Sequence, residues 1–208
     1  TIEASGKLAK LVTILESIQA ANEKVLIFAI TKRLQVFLQS ALQHYFDLET
    51  PPGIINGDTK IKQSKRSSHS SRTSLIDDFS ASSGFDILIL SPVAAGVGLT
   101  ITAANHVVHL ERHWNPAKEA QATDRVYRIG QTKPVSVWVP ILMHPEKESF
   151  DQKLDKLLTL KSGLSEAVVT PDSVDASELA DILGGSKAPQ ESYIQTSSLH
   201  GLKWDLFD

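Results

Sequence analysis

The sequence predicts an α/β fold built around a mainly parallel sheet. Three observations predict it: short apolar runs typical of strands buried on both faces, amphipathic helical patterns, and the alternation of the two along the chain. Strands that alternate with helices in this way imply right-handed βαβ crossovers and parallel neighbours. The strand candidates are residues 24–30, 54–55, 86–90, 107–110 and 135–141.

Amphipathic helices are expected between these strands. The first covers residues 5–21, with Ser5 as its N-cap, and its apolar residues at helical spacing are Leu8, Leu11, Val12, Leu15 and Ile18. The second covers residues 32–45, and its inward face is predicted to consist of Leu34, Phe37, Leu38, Leu42 and Tyr45. A third is marked by Leu75, Ile76 and Phe79.

The chain beyond Pro145 differs in charge from the part before it. Residues 1–145 carry 15 Lys and Arg against 12 Asp and Glu, whereas residues 146–208 carry 6 against 12. A Lys-rich helix is expected over residues 148–164, a short acidic helix over 177–183 and a linker over 186–198. We therefore divide the chain into a domain at residues 1–168 and an acidic extension at 169–208.

Composition excludes several classes of function. The chain has no cysteine, which rules out disulfides, thiolate metal sites and Cys nucleophiles and fits a reducing compartment. No apolar run approaches the roughly 20 residues that span a bilayer, and no signal-peptide pattern is present, so we expect a soluble intracellular protein without a membrane partner. A basic cluster that could attract a phosphate backbone consists of Lys60, Lys62, Lys65, Arg66 and Arg72.

The loops that follow the strands are where a ligand is expected, because ligands of open parallel sheets bind beyond the carboxyl ends of the strands. The loop after residues 86–90 contains Ser91, Gly96, Gly98 and Thr100, which can accept phosphate from a nucleotide or a nucleic acid or can form a purely structural turn. After residues 107–110, Trp114 could be exposed in the loop and stack on a base or sugar, or it could be buried in the core. Pro116 is suited to begin the next helix.

Arg125 and Arg128 lie three positions apart in a predicted helix, a spacing that points both guanidinium groups the same way. Because a guanidinium keeps its charge and its planar donors match phosphate oxygens, the pair suits a polyphosphate. The alternative is a solvated or ion-paired face, with Asp124 and Glu119 as partners.

Motifs along the chain resemble a known family. Residues 121–131, Gln-Ala-Thr-Asp-Arg-Val-Tyr-Arg-Ile-Gly-Gln, resemble the sixth helicase motif of the SWI/SNF-type DNA-dependent ATPases of helicase superfamily two. Residues 95–100, Ala-Gly-Val-Gly-Leu-Thr, resemble the fifth motif, and Trp-Asn-Pro at 114–116 resembles its extension. Residues 25–28 resemble the strand of the fourth motif, and Asn-Gly-Asp-Thr at 56–59 resembles the phosphate-contact loop that follows. The resemblance covers about residues 5–168.

This resemblance implies a RecA-like three-layer lobe, the second of the two lobes of a DNA translocase. Such a lobe closes over ATP with Mg²⁺ held mainly by the first lobe, so Arg125 and Arg128 would reach the phosphates as arginine fingers, with Gln121 as an accessory contact and Gly96 and Gly98 close to the nucleotide or the DNA backbone. The residues expected to grip duplex DNA through its backbone are Thr31, Gly57, Thr59, Ser91, Thr100, Trp114 and Asn115. The implied partners are double-stranded DNA and an N-terminal RecA-like lobe.

The chain also departs from the family pattern. It contains no Gly-x-x-x-x-Gly-Lys-Ser/Thr and no Asp-Glu-x-His sequence, so we expect no ATPase activity from this chain alone and no metal site of its own. Thr100 stands where Asn is common, and Glu111 where Asp is common. A non-catalytic DNA- or protein-binding module remains the alternative. The resemblance implies a location at the nucleoid of a bacterium or in the nucleus of a eukaryote.

Overall fold

The computed structural model describes residues 2, 5–60, 71–95, 98–167, 198–199 and 202–205. Its helices are α1 (Gly6–Ala20), α2 (Lys32–Tyr45), α3 (Arg72–Ala81), α4 (Pro92–Ala95), α5 (Pro116–Thr123) and α6 (Phe150–Ala167). Its strands are β1 (Lys24–Phe28), β2 (Gly53–Ile55), β3 (Asp86–Leu90), β4 (His106–His109), β5 (Ser136–Trp138), β6 (Ser198–Leu199) and β7 (Leu202–Asp205).

The strands form one sheet in the order β2-β3-β1-β4-β5-β7-β6. Leu26 in the central strand β1 lies opposite Leu88 of β3 and Val107 of β4, and both pairings are parallel. The pairs β2–β3, β4–β5 and β5–β7 are also parallel, whereas β6 and β7 are antiparallel. The predicted α/β class and mainly parallel sheet are therefore confirmed.

Two apolar layers cover the two faces of the sheet. Successive side chains of a strand point to opposite faces, and β1 accordingly contributes Val25 and Ile27 to one layer and Leu26 and Phe28 to the other. Helices α1 and α2 pack in the first layer, and α3, α4 and α5 pack in the second. The result is the three-layer arrangement of a RecA-like lobe.

The inward face of α2 differs from the predicted one. Phe37 and Tyr45 are exposed, and the fully buried side chains include Gln35 instead. Gln35 donates its amide to the carbonyl of Ala29 at 2.7 Å and accepts from the Asn56 amide at 2.8 Å, so its burial is compensated by hydrogen bonds. Helical periodicity placed Gln35 on the polar side of α2, because a periodic pattern contains no information on hydrogen-bond partners such as Asn56.

The start of α1 also differs in detail from the prediction. Ser5 occupies the N-cap position, but its side chain forms no capping hydrogen bond. Lys7, in the first turn of α1, forms an ion pair of 2.6 Å with Asp151 at the start of α6 and so anchors the start of α1. That pair also holds the start of α6 against α1.

The chain beyond α6 joins the same sheet where the structure describes it. Val137 of β5 pairs with the backbone of Trp204 in β7, and β6 continues the sheet beyond β7. The predicted helix at residues 177–183 and nearly all of the predicted linker lie outside the described residues. Within the described ranges, no helix is long and apolar enough to cross a membrane.

Candidate functional site

The residues expected to contact DNA follow four neighbouring strands of the sheet. Thr59 comes after β2, Ser91 after β3, Thr31 after β1 and Trp114 after β4. Because β2, β3, β1 and β4 are adjacent and parallel, these loops share the carboxyl edge of the sheet. Tertiary structure thus brings together residues that are as far as 83 positions apart in the chain.

Thr31 lies at the N-cap of α2, where it meets the loop after β4. The carboxylate of Glu111 accepts hydrogen bonds from the backbone N–H groups of Ile30 and Thr31 at 2.6 and 2.7 Å and from the Thr31 hydroxyl at 2.8 Å. These short bonds to an ionised acceptor join the loop after β1 to the loop after β4. The hydroxyl of Thr31 is therefore already engaged with Glu111.

The hydroxyls of Thr59 and Ser91 stabilise their own loops. Thr59 Oγ1 donates to the Ile54 carbonyl at 3.2 Å and accepts from the Asn56 N–H at 3.1 Å. Ser91 Oγ accepts from the N–H of Ala94 at 3.1 Å, at the start of α4. Gly57, by contrast, is exposed, and an added Cβ would have open space around it.

The prediction that Arg72 belongs to a basic surface cluster is wrong. Its side chain is buried, and it donates to the carbonyls of Thr59 at 2.8 Å and Asn56 at 3.0 Å. The guanidinium holds the loop after β2 in shape and does not form part of a surface patch. Lys62, Lys65 and Arg66 of the same cluster lie outside the described residues.

Trp114 is exposed at the carboxyl edge and does not belong to the core. Its side chain is 63% exposed. One neighbour is the ring of His113, stacked at 5.8 Å, and another is the ammonium of Lys161 in α6, 5.4 Å from the ring centroid. Next to it, Asn115 caps α5 by accepting from the N–H of Ala117 at 3.0 Å, and Pro116 begins the helix as predicted.

The loop before Trp114 contains a largely buried ion cluster. Arg112 donates to both carboxylate oxygens of Glu119 in α5, with a closest distance of 2.6 Å, and also pairs with Asp155 in α6. Burial opposes ionisation of Glu119 and Arg112. The electrostatic interaction with His109 and the contacts with Arg112 outweigh burial and lower the pKa of Glu119, and the contacts with Glu119 and Asp155 raise the pKa of Arg112. For Asp155 burial prevails and raises the pKa.

Arg125 and Arg128 do not lie in a helix, which corrects the prediction. Helix α5 ends at Thr123, and the N–H groups of Arg125 and Val126 bond three residues back, as in a tight turn. Both side chains nevertheless reach one segment. Arg125 is buried and donates to the Leu99 carbonyl at 3.4 Å, and the exposed Arg128 donates to the Thr100 hydroxyl at 2.7 Å.

The charges of these two arginines act on each other. Burial lowers the pKa of Arg125, and the positive charge of Arg128 lowers it further, while Asp124 opposes the change. Glu119, the other ion-pair partner considered from sequence, binds Arg112 instead. The turn thus holds two like charges close together, an arrangement that a bound polyanion would relieve.

Gly98 and Gln121 are described, whereas Gly96 lies outside the described residues. Gly98 has φ +61°, a conformation that other residues rarely adopt, so a glycine is required in the turn that leads to Thr100. Gln121 is exposed on α5.

Sequence reasoning missed Gln131. Its side-chain amide donates to the carbonyls of Thr102 and Ala104 at 3.2 and 2.7 Å and holds the arginine turn on the segment that enters β4. Its place at the end of the sixth-motif resemblance was the available signal.

Comparison with known proteins decides which family this arrangement represents. Residues 6–130 match the helicase conserved C-terminal domain. The chain is 44% identical over 185 residues to the Zorya protein ZorD of Escherichia coli and 32% identical over 184 residues to the chromatin-remodeling ATPase INO80 of Arabidopsis thaliana, in each case over 88% of this chain. The chain belongs to the SWI/SNF-type helicase C-terminal domain family.

Solved structures of this family agree with the fold. The SWI2/SNF2 ATPase core domain of Sulfolobus solfataricus superposes with a TM-score of 0.63 at 27% identity, over 90% of this chain and 36% of that one. The C-terminal part of the Fun30 ATPase domain gives a TM-score of 0.60 at 27% identity, over 86% and 51% of the two chains. The chain spans 17% of the length of ZorD and 11% of that of INO80, so it corresponds to one part of such proteins.

Proposed function

We propose that this chain is the second motor lobe of an ATP-dependent translocase that moves on double-stranded DNA. In this role Arg125 and Arg128 reach the phosphates of ATP, and the carboxyl edge of the sheet grips the DNA backbone. The chain contributes half of the ATPase site, and an N-terminal RecA-like lobe of the same parent protein contributes the other half.

The observation that carries this proposal is that Arg125 and Arg128 lie close together beside residues 99–100, with like charges that act on each other. Arg125 donates to the Leu99 carbonyl and Arg128 to the Thr100 hydroxyl. Burial and the positive charge of Arg128 both lower the pKa of Arg125, against the attraction of Asp124. Two adjacent guanidinium groups repel each other, and a polyphosphate between two lobes would compensate both charges. Burial of Arg125 also fixes its position, so little ordering is needed when the anion arrives.

The residues present fit a nucleotide held mainly elsewhere. ATP with Mg²⁺ would supply the transferable phosphoryl group, and in this proposal the first lobe holds the metal and most of the nucleotide, consistent with the lack of Walker sequences in residues 1–208. On this lobe, Arg125 and Arg128 orient and neutralise phosphate oxygens, and Gln131 keeps their turn against residues 102–104. Gln121 and the glycine turn at Gly98 lie in the same sixth- and fifth-motif segments.

DNA contact in this proposal uses the four loops at the carboxyl edge. Gly57, Thr100 and Trp114 are exposed in the loops that follow these strands, where a backbone would pass. Because these groups offer no pattern that reads bases, we expect binding that is sequence-independent and weakens as salt rises.

The test uses the longer parent protein, with both lobes, and measures DNA-stimulated ATP hydrolysis and duplex binding. We expect Arg125→Ala and Arg128→Ala each to lower kcat by at least about 100-fold, as for comparable arginine fingers, and to leave duplex affinity within about threefold. Lys118→Ala, which removes an exposed cation from α5, is the matched control and should hydrolyse ATP normally. Normal hydrolysis by both arginine variants would show that the finger assignment is wrong, whereas no DNA-stimulated hydrolysis by the unaltered parent would support the non-catalytic module.

A further inference from the structure

The loop that presents Trp114 is held from both sides by ion pairs that the proposed function does not use. On one side, Arg112 binds Glu119 of α5 through Nε and Nη2, and the other Glu119 oxygen accepts from the N–H of His113 at 3.3 Å. On the other side, Arg112 Nη1 pairs with Asp155 of α6. The guanidinium therefore joins the loop to two helices at once.

Helix α6 makes a second contact with the same loop. The ammonium of Lys161 lies 5.4 Å from the Trp114 ring centroid and donates to the Trp114 carbonyl at 3.4 Å. Asp155 and buried Leu158 are three positions apart, so Asp155 lies on the face of α6 that packs against the domain. The exposed tryptophan is thus placed by two residues of α6 that lie 41 and 47 positions further along the chain.

The two carboxylates on Arg112 are held unequally. Glu119 is buried and forms a two-oxygen contact with the guanidinium, whereas Asp155 makes a single contact and is more exposed. If Asp155 moved away, Arg112 would keep Glu119 as its partner and would not become an unpaired buried charge. The contact with α6 can therefore be released at a lower cost than the contact with α5.

We propose that α6 positions Trp114 at the carboxyl edge of the sheet through Asp155 and Lys161. Asp155 is then a positioning residue that acts through Arg112, and any displacement of α6 changes how the indole is presented. The inference rests on the proposed function only for the ligand that Trp114 meets, which is duplex DNA.

The positioning itself is tested without DNA, in the 208-residue chain labelled with 5-fluorotryptophan. The three tryptophans give three ¹⁹F resonances, and Trp114→Phe identifies the one from Trp114. We expect Asp155→Ala to shift or broaden the Trp114 resonance and to leave the other two unchanged. The matched control is Lys156→Ala, which breaks the Lys156–Glu148 pair at the next position of α6 and should leave all three unchanged.

Two results would overturn the proposal: an unchanged Trp114 resonance in Asp155→Ala, or the same change in Lys156→Ala. Thermal unfolding of both variants checks that the fold is kept. If Asp155→Ala does not fold, Asp155→Asn removes the charge while retaining the shape, and the same two outcomes decide.

A second measurement links the positioning to DNA in the longer parent protein. Asp155→Ala should weaken duplex binding about three- to tenfold, the loss expected for one weakened contact, and should have no further effect in a Trp114→Ala background. An equal loss in that background would contradict action through Trp114. If the unaltered protein binds no duplex, the proposed function fails, and the ¹⁹F result still decides whether α6 places the indole.

Discussion

Arg128 donates a 2.7 Å hydrogen bond to the hydroxyl of Thr100, so the sixth-motif turn and the fifth-motif loop meet through one side-chain pair. This contact sets the direction of an exposed guanidinium that would otherwise sample several rotamers. It also gives a role to Thr100, which stands where the family commonly has Asn. The contact predicts how a substitution at Thr100 affects ATP hydrolysis.

Thr100→Val removes the hydroxyl and keeps the shape of the side chain. We expect kcat for DNA-stimulated ATP hydrolysis in the parent protein to fall about tenfold, because a hydrogen bond to a charged group contributes about 1.5 kcal/mol. Thr100→Ser keeps the hydroxyl and should retain most of the activity. Equal activity of Thr100→Val and the unaltered protein would show that the pair does not orient Arg128.

The isolated 208-residue chain should be inactive as an ATPase. It contains the arginine pair but no Walker A or Asp-Glu-x-His sequence, so it can neither hold nor position the nucleotide alone. Phosphate release should stay at background with and without duplex DNA, and DNA binding should be weak. Rapid DNA-stimulated hydrolysis by this chain would refute the division of the site between two lobes.

His109 predicts a loss of stability in mild acid. The ring is fully buried, stacks on Phe28 at 5.1 Å and contacts the Thr123 hydroxyl at 2.9 Å, and burial lowers its pKa from 6.5 to about 4. As the pH falls, His109 of the unfolded chain binds a proton before His109 of the folded chain does. The contribution of the neutral ring to the free energy of unfolding is therefore complete above pH 6.5 and is lost as the pH falls towards 4. The loss corresponds to roughly 3 kcal/mol.

Urea unfolding at pH 7, 5.5 and 4 measures this effect. His109→Phe should lose that part of the pH dependence even if it is less stable throughout, whereas a variant of exposed His44, His44→Gln, should keep the pH dependence of the unaltered chain. An unchanged slope in His109→Phe would assign the acid sensitivity to other groups.

Ionised Glu23 contributes to the free energy of unfolding, and this contribution persists to lower pH than that of His109. Its carboxylate accepts from Asn105 at 2.7 Å and Lys133 at 3.0 Å and contacts His106 at 2.6 Å. Burial opposes the change, but these partners outweigh it and lower the pKa from 4.5 to about 2. The contribution is therefore complete above pH 4.5 and is lost as the pH falls through 2.

Glu23→Gln should cost roughly 1 to 2 kcal/mol at pH 7, less than the full pKa shift implies because the site is partly solvated. The difference from the unaltered chain in the free energy of unfolding should shrink as the pH falls from 4.5 towards 2. Glu16→Gln, at an exposed position of α1, is the control and should show no such pH-dependent difference. A constant difference across this range would contradict an ionised Glu23 as the source.

We expect Lys24 to stabilise the fold, although its place in a strand does not suggest this. It begins β1, yet its buried ammonium donates to the carbonyls of Phe79 at 2.5 Å and Ser82 at 2.6 Å, at the end of α3. Lys24→Met keeps the aliphatic stem and leaves these carbonyls without that donor, so we expect a loss of roughly 2 kcal/mol. Urea unfolding checks this, and Lys118→Met should be neutral within about 0.5 kcal/mol.

Sequence by itself determined the α/β class, the order of β1 to β5 and of the longer helices between them, and the loops of the candidate site, whereas α4, β6 and β7 were not predicted. These features follow from local periodicity, from helix-start residues such as Pro116 and from the motif resemblance, all of which lie within short stretches of chain. The exposed Trp114 and the arginine pair were also identified, although the helix expected at Arg125 ends at Thr123.

Only the tertiary structure decided which charges meet. Glu119, a predicted partner of the arginine pair, binds Arg112, and Arg72 of the predicted basic cluster is a buried support for the loop after β2. The Glu111 carboxylate reaches Thr31 across 80 positions of chain. Charged side chains are long and choose partners by spatial distance and burial, and local sequence patterns contain neither quantity.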